Sequence, residues 1–334
     1  MWSCSSCRLL WRCRVHSIGE SVLQIHLVSK QEVRDPSCVS QETGEMLVTQ
    51  NRTGCLMTWG IDWEGMTMYQ LGRVYAPPEG EEYFTFTNMC VVETVSHAYA
   101  VYPVGEDVIR ISCCRCGHEH CKIAGNDGQG RRGMVTALSG VAFGDGMVVV
   151  LGYEDGSVVG YRGVGGDEKH VSILFENKTH TRNPCVSLGV HPDERGIHVV
   201  AGYAGDSMGE DTEEKHAPLI ELGHVDVEQA QYSTTSLLFA TTKQNGTLRG
   251  MDQVVFREDG KYVAAACWDG KVRIYRVSTG CLVDVVIHHK DAATFVLFFD
   301  SIQSRIDGPR TTNRIAIGSR DGTVSLWSMK SSPR

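Results

Sequence analysis

The sequence predicts an all-β protein built as a β-propeller, in which small antiparallel sheets of one design repeat along the chain. Two observations support this prediction: one hairpin pattern recurs several times, and further alternating strands lie between its copies. The composition agrees, because 334 residues include 36 glycines but only 9 prolines, and 42% of the residues are apolar. These values suit a globular protein with a sizeable core and many tight turns.

The hairpin pattern is clearest at residues 148–161, 262–275 and 314–327. Each copy is an apolar run, an Asp-Gly pair, and an alternating run that ends in Tyr or Trp six residues after the Asp. Glycine accepts the positive φ of a tight turn, and the Asp carboxylate can bond the turn backbone. The pattern therefore predicts a β-hairpin in each copy.

Weaker copies extend the series to six units. Residues 46–59 keep the spacing from Gly to Trp but have Thr53 in place of the Asp, and residues 98–111 keep the hairpin without the aromatic end. Residues 199–207 start a sixth copy whose second strand is obscured. Alternating runs at 138–143, 186–190, 253–256 and 294–299 precede four of the copies, so three strands are visible in a unit.

A histidine lies a few residues before the strands in several units, where a WD repeat usually has its Gly-His. Histidine, turn Asp and terminal aromatic residue together resemble the buried hydrogen-bonded set that ties a WD-repeat blade together. The resemblance implies a structural role, not a catalytic one, for His16, His180, His289, Asp155, Asp269, Asp321, Trp59, Tyr161, Tyr275 and Trp327.

The implied fold is a WD-repeat β-propeller with six readable blades in a single domain over residues 1–334. Neighbouring blades must stack around a channel to bury their faces, and seven blades are the commonest number for this fold. Either a degenerate blade lies in one of the insertions or one blade is missing. We favour a missing first blade, because residues 1–13 look like a fragment that leads into the His16 unit.

Two stretches break the repeat, and we interpret them as loop insertions near 113–132 and 205–250. The first holds Cys113, Cys116, His118 and Cys121, which are residue types that zinc prefers. The usual Cys-x-x-Cys pairs are missing, so an exposed thiol-rich loop is the favoured interpretation and zinc the alternative. The second stretch is acidic and polar; it is either a solvated loop or a docking loop, and its spacing does not decide between them.

Charge and motifs limit the function classes. The net charge of -8 offers no basic field for nucleic acid, so direct nucleic-acid binding is not expected. We find neither an export signal nor an apolar run of membrane-spanning length, and the 13 scattered cysteines are read as reduced thiols in an intracellular protein. Phosphate-binding loops and nucleophile elbows are missing too, so we expect no enzyme activity and no cofactor.

Residues 152–159, 266–274 and 317–328 resemble the ASTRA-associated, G-protein-β-subunit-like WD-repeat proteins. This resemblance implies an adaptor for the co-chaperone assembly that matures phosphatidylinositol-3-kinase-related kinases. It also implies protein partners in a multi-subunit co-chaperone or chromatin-associated complex, location in nucleus and cytoplasm, and a link to chromatin and DNA-damage signalling. A ubiquitin-ligase substrate receptor fits the same fold, and a zinc-dependent protein that uses the Cys113 loop is the outside alternative. A heterotrimeric G-protein β subunit would need an N-terminal coiled coil, and residues 1–20 show no heptad.

Candidate partner-binding residues are those just before each turn Asp, because in WD repeats they lie at one rim of the propeller. Here they are Glu154, Trp268 and Arg320. Trp and Arg dominate binding energy when they are desolvated at an interface. If Trp268 is exposed, Trp268→Ala should weaken partner binding by ~2 kcal/mol or more and leave thermal stability nearly unchanged. Packing of Trp268 against the adjacent blade is the alternative.

Overall fold

The structure is a computed structural model, and it describes most of the repeat units. The described residues are 22–28, 46–51, 53–62, 67–77, 87–95, 97–105, 108–124, 132–163, 171–178, 183–205, 220–238, 250–299 and 314–328. Over these residues all regular structure is β: 23 strands form six antiparallel sheets, five of four strands and one of three. The described residues contain no helix with the length and apolar character needed to span a membrane.

The chain divides into two compact units. The first comprises residues 1–130 with 142–147 and 163–171, and the second comprises 131–141, 148–162 and 172–334. The strands of the first unit are β1 (Val22–Val28), β2 (Met46–Asn51), β3 (Leu56–Asp62), β4 (Thr67–Tyr75), β5 (Cys90–Glu93), β6 (Ala98–Pro103), β7 (Val108–Cys113) and β8 (Glu119–Ala124). They form the sheets β1-β2-β3-β4 and β5-β6-β7-β8.

The remaining strands lie mainly in the second unit. They are β9 (Val135–Phe143), β10 (Gly146–Tyr153), β11 (Val158–Gly163), β12 (Val171–Asn177), β13 (Cys185–Pro192), β14 (Gly196–Tyr203), β15 (Ile220–Asp226), β16 (Gln231–Leu238), β17 (Met251–Phe256), β18 (Tyr262–Cys267), β19 (Lys271–Arg276), β20 (Leu282–Ile287), β21 (Ala293–Phe299), β22 (Arg314–Ser319) and β23 (Val324–Ser328). Their sheets are β9–β12, β13–β16, β17–β20 and β21–β23.

Within each unit, successive sheets share an apolar layer. In the first unit Leu56 and Tyr102 belong to one buried cluster, and the Gln50 side chain accepts the Met89 backbone N–H at 2.7 Å between the two sheets. In the second unit one cluster joins β13–β16 to β17–β20 and another joins β17–β20 to β21–β23. The sheet β17–β20 therefore shares an apolar cluster with a neighbouring sheet on each side, which is how propeller blades stabilise one another.

The six predicted units are confirmed. Their hairpins are β2–β3, β6–β7, β10–β11, β14–β15, β18–β19 and β22–β23, and the predicted upstream strands correspond to β9, β13, β17 and β21. This repeated sheet agrees with the predicted all-β, β-propeller class. His16 and His180 lie outside the described residues.

The two predicted loop insertions are wrong in part. Residues 119–124 form β8, and residues 220–238 form β15 and β16, so regular strands occupy much of both stretches. Outer strands give a short or weak apolar signal: β8 buries only Cys121 and Ile123, and β20 is exposed at both ends. Alternation in a sequence reports burial of one face, and an edge strand with little burial shows little of it.

Candidate functional site: the turn edge of the second unit

The Asp-Gly turns share one geometry, which places the residue before each Asp. Gly156, Gly270 and Gly322 have φ of +86°, +77° and +80°, and each backbone N–H donates to the carbonyl three residues earlier. The Asp carboxylate accepts the backbone N–H two residues after it, at 2.9 Å for Asp155, 3.2 Å for Asp269 and 2.9 Å for Asp321. Residue types and structure agree, since the turn requires positive φ at the glycine.

The β2–β3 hairpin forms the same turn with different side chains. Gly54 has φ of +80° and donates its N–H to the Asn51 carbonyl. Thr53 stands where the other copies have Asp, and Asn51 takes over the role of the carboxylate. Its side-chain oxygen accepts the Cys55 N–H at 2.8 Å and the Thr53 hydroxyl at 2.9 Å.

Glu154, Trp268 and Arg320 hold equivalent positions in their sheets. Each donates its backbone N–H to the carbonyl just before the first strand of the same sheet, at 3.0, 3.0 and 2.9 Å. These acceptors precede β9, β17 and β21. The three side chains therefore start from the same edge of three sheets in the second unit.

Trp268 and Arg320 meet at a third residue, Asp252. The indole Nε1 of Trp268 donates to Asp252 Oδ1 at 2.6 Å, and Arg320 of the neighbouring sheet places its guanidinium 4.0 Å from Asp252 Oδ2. Asp252 occupies a register shift between β17 and β18, and such a bulge redirects a side chain out of the regular pleat. We name Asp252, Trp268 and Arg320 the Asp252 patch.

The exposure of the patch residues differs. Arg320 is exposed, with 65% of its side chain accessible. Trp268 is half-buried, and its ring lies against Gly250, where an added Cβ would come within 2.5 Å of the indole. The Trp268 contact is thus with its own sheet, and the expectation that Trp268→Ala leaves stability unchanged does not fit this packing.

Glu154 makes a local contact. Its side chain is exposed, and its Oε2 accepts the Met134 N–H at 3.3 Å. An added Cβ at Gly133 would meet this carboxylate at 2.6 Å. Glu154 therefore covers the start of its own sheet.

The last sheet joins His289, Asp321 and Trp327 through two hydroxyl groups. Trp327 Nε1 donates to Ser325 Oγ at 2.9 Å, and His289 Nε2 lies 2.9 Å from the same oxygen. His289 Nδ1 lies 3.0 Å from Thr323 Oγ1, which donates to Asp321. One donor direction satisfies every member: the indole donates to Ser325, Ser325 to Nε2, Nδ1 to Thr323, and Thr323 to Asp321. This hydrogen bond from Thr323 is the main cause that holds the pKa of Asp321 below its ordinary value.

In the other sheets the expected structural residues have different partners. Trp59 Nε1 donates to Thr49 Oγ1 at 3.0 Å, and the Tyr161 hydroxyl lies 3.3 Å from that of Tyr153. Asp269 forms a bidentate pair with Arg273 at 3.0 and 2.6 Å. Tyr275 is buried, and burial raises its pKa.

The sheet β13–β16 contains a buried carboxylate, Glu221, which the sequence did not single out. Glu221 accepts hydrogen bonds from Tyr203 at 3.2 Å, Tyr232 at 2.9 Å, Thr234 at 2.8 Å and Asn177 at 2.8 Å. Four donors compensate its desolvation, so the carboxylate can remain in the sheet interior.

The cysteine stretch is a tight turn between β7 and β8, not an exposed loop. Gly117 donates its N–H to the Cys113 carbonyl at 2.9 Å. Cys113 and Cys121 are buried, whereas Cys116 and His118 are exposed. Burial raises the pKa of Cys113 to about 12 and that of Cys121 to about 11. The structure does not gather the four zinc candidates: within the described ranges, the only three or more His, Cys, Asp or Glu ligand atoms that come together are in another sheet.

That other group consists of Asp193, His198 and His224 in the sheet β13–β16. This group could not be recognised from the sequence, because His224 lies in the stretch interpreted as a loop. A local signal exists for part of it: a hairpin folded about residues 193–196 pairs His191 with His198.

Comparison with known proteins supports the repeat assignment. A family model described as "WD domain, G-beta repeat" matches residues 246–276, which include Asp252 and Trp268. The crystal structure of Saccharomyces cerevisiae Sqt1 matches with a TM-score of 0.63 over 93% of this chain and 72% of that chain. The sequence identity is 12%, so this likeness shows a shared fold.

Two relatives carry the name ASTRA-associated protein 1. The protein from Verticillium alfalfae is 25% identical over 224 residues, which cover 59% of this chain and 51% of the relative. The protein from Schizosaccharomyces pombe is 30% identical over 80 residues, 24% of this chain and 19% of the relative. The chain thus spans about half the length of the first relative. The chain has the WD-repeat β-propeller fold, and its sequence resembles ASTRA-associated protein 1.

Proposed function

We propose that this protein is a non-catalytic scaffold that binds other proteins, and that it serves as an adaptor in the co-chaperone assembly that matures phosphatidylinositol-3-kinase-related kinases. The WD-repeat match and the two relatives named ASTRA-associated protein 1 support the scaffold role. The resemblance also supports action in nucleus and cytoplasm, with a link to chromatin and DNA-damage signalling.

We assign the Asp252 patch as the partner site. The assignment depends on the arrangement of Trp268 and Arg320 around Asp252. One carboxylate holds a half-buried indole by a short hydrogen bond, and an exposed guanidinium lies 4.0 Å from the same carboxylate. Trp and Arg are the residue types that most often dominate interface energies. The indole needs no ordering upon binding because Gly250 and Asp252 already fix it.

Arg320 supplies the charge for partner recognition. Its contact with Asp252 is long, at 4.0 Å, and its side chain is largely in solvent. Such an ion pair contributes little to folding. The guanidinium is therefore available to an acidic group on a partner, which it can bind with two parallel hydrogen bonds.

Quantitative affinity purification from cells tests the proposal. Tagged wild-type protein is compared with Arg320→Glu and with Lys178→Glu, a charge reversal at a lysine whose side chain is 82% exposed. We expect wild type and Lys178→Glu to recover co-chaperone subunits together with a phosphatidylinositol-3-kinase-related kinase, and Arg320→Glu to lose them. Recovery of ubiquitin-ligase subunits in their place would overturn the adaptor assignment.

A further inference from the structure

Three histidines form a row across neighbouring strands of the sheet β13–β16. His191 on β13 pairs with His198 on β14, and His198 pairs with His224 on β15. Directly opposite residues have their Cβ atoms about 5 Å apart on one face of a sheet. The rings of His198 and His224 are accordingly 5.0 Å apart between centroids.

A carboxylate from the β13–β14 turn faces two of these rings. Asp193 Oδ1 is fixed by the backbone N–H groups of Arg195 at 2.8 Å and Gly196 at 2.7 Å. Its Oδ2 lies 2.9 Å from His224 Nε2 and 3.1 Å from His198 Nε2. The turn therefore presents one anchored oxygen to the protein and one oxygen to the imidazoles.

The three facing atoms have the separations of a metal-ligand set. They all lie within 4.8 Å of one another. Zinc binds nitrogen and carboxylate oxygen at about 2.0–2.1 Å, so neighbouring ligands of a tetrahedral site are about 3.3–3.4 Å apart. The two observed separations are a few tenths of an ångström shorter, which small side-chain rotations can correct.

We propose that Asp193, His198 and His224 bind a divalent transition metal, with zinc the best match. Two imidazoles and one carboxylate leave the fourth tetrahedral position to water or to a group from a partner. The site is reachable, because the side chains of Asp193, His198 and His224 are 29%, 25% and 24% exposed. Asp193 and His198 also line a cavity of about 630 Å³, which Lys261 and Arg276 of the next sheet line too.

The protonation states favour ligation at neutral pH. Burial lowers the pKa of His198, and the imidazoles of His224 and His191 lower it further against the raising effect of Asp193. Burial alone would raise the pKa of Asp193, but backbone hydrogen bonds and the two imidazoles bring it below its ordinary value. A neutral imidazole and an ionised carboxylate are the forms that bind metal.

The surroundings of His198 affect the expected affinity for zinc. Its Nδ1 is buried and has no hydrogen-bond partner among the described residues. A ligating histidine usually donates this second N–H to an acceptor, and loss of such a partner costs about 10–100-fold in metal affinity. A site in which this N–H finds no acceptor should bind zinc more weakly than a fully supported zinc site.

Zinc titration of the metal-free full chain, followed by X-ray absorption at the zinc edge, tests the proposal. We expect a first shell of nitrogen and oxygen at about 2.0–2.1 Å, without the sulfur shell at about 2.3 Å that cysteine binding would give. A sulfur shell alone would contradict the proposed ligands.

Variants assign the ligands. His198→Ala should lose this zinc equivalent, whereas His191→Ala, which removes a histidine of the same row outside the ligand set, should keep it. Asp193→Asn retains an oxygen for the Arg195 and Gly196 N–H groups, so it preserves the turn and still should weaken zinc binding at least tenfold. Unchanged binding in Asp193→Asn would overturn the proposal even if His198→Ala failed to fold, as would equal losses in His191→Ala and His198→Ala.

Discussion

A matched pair of glycine substitutions tests the turn geometry on which the site depends. Gly270 and Gly322 occupy the same position in two copies of the hairpin, with φ of +77° and +80°. An added Cβ at Gly322 meets nothing within 4 Å, whereas at Gly270 it would lie 2.9 Å from the Asp291 carbonyl oxygen and 3.1 Å from that of His289. The two sites differ in surroundings and not in backbone conformation.

The expected losses in the free energy of unfolding come from the left-handed backbone conformation and, at Gly270, from the clash with neighbouring carbonyl oxygens. A left-handed conformation costs a residue other than glycine roughly 1–2 kcal/mol, and the reduced entropy of the unfolded chain returns about 0.4–1 kcal/mol. Gly322→Ala should therefore lower the free energy of unfolding by about 1 kcal/mol. Gly270→Ala adds a backbone clash, for which overpacking costs of about 1–3 kcal/mol apply, so its total should be about 2–4 kcal/mol.

Urea unfolding followed by tryptophan fluorescence and circular dichroism measures both values. Gly322→Asn should be more stable than Gly322→Ala, because Asn tolerates the left-handed region. Gly270→Asn should still lose the stability that the clash with the carbonyl oxygens costs. Equal losses for the two alanine variants would refute the claim that the neighbouring carbonyls distinguish these turns. Two neutral variants would refute the turn assignment itself.

Three further perturbations probe other parts of the structure. Glu221→Ala removes the acceptor of three donors in the sheet β13–β16 and of Asn177 on β12, so the free energy of unfolding should fall by about 3 kcal/mol or more, while exposed Glu228→Ala should change it by less than about 0.5 kcal/mol. Maleimide labelling of the native protein with peptide mapping should modify exposed Cys116 and spare Cys114, whose burial raises its pKa well above the ordinary value; equal labelling would contradict the β7–β8 turn. Stability should fall as pH drops below about 6.5, because the unfolded chain then binds a proton that folded His198 resists, and His198→Gln should flatten this part of the pH profile of urea midpoints.

The hairpins could be predicted from sequence because their signals are local. Asp155 and Gly156 specify a turn within four residues, and the flanking apolar alternation specifies the two strands. An outer strand such as β16 could not be predicted, because its pairing with β15, not an apolar alternation of its own, defines it. β16 reads Gln231–Leu238, a mostly polar run that becomes a strand by pairing with β15.

The candidate sites divide in the same way. The positions of Trp268 and Arg320 before their turn aspartates follow from the repeat. Their shared contact with Asp252 does not, because it depends on a bulge in β17 and on the packing of one sheet against the next. The pairing of His198 with His224 likewise joins strands that are distant in sequence.

The most direct test of the account is the affinity of purified wild type, Arg320→Glu and Lys178→Glu for the partner recovered from cells, measured by biolayer interferometry alongside each unfolding midpoint. Removal of a hot-spot residue costs about 2 kcal/mol or more, roughly 30-fold in Kd. We predict at least this loss for Arg320→Glu, a change of less than about twofold for Lys178→Glu, and unchanged midpoints for both. Equal affinities of the two charge reversals would contradict the assignment of the Asp252 patch as the surface through which this scaffold works.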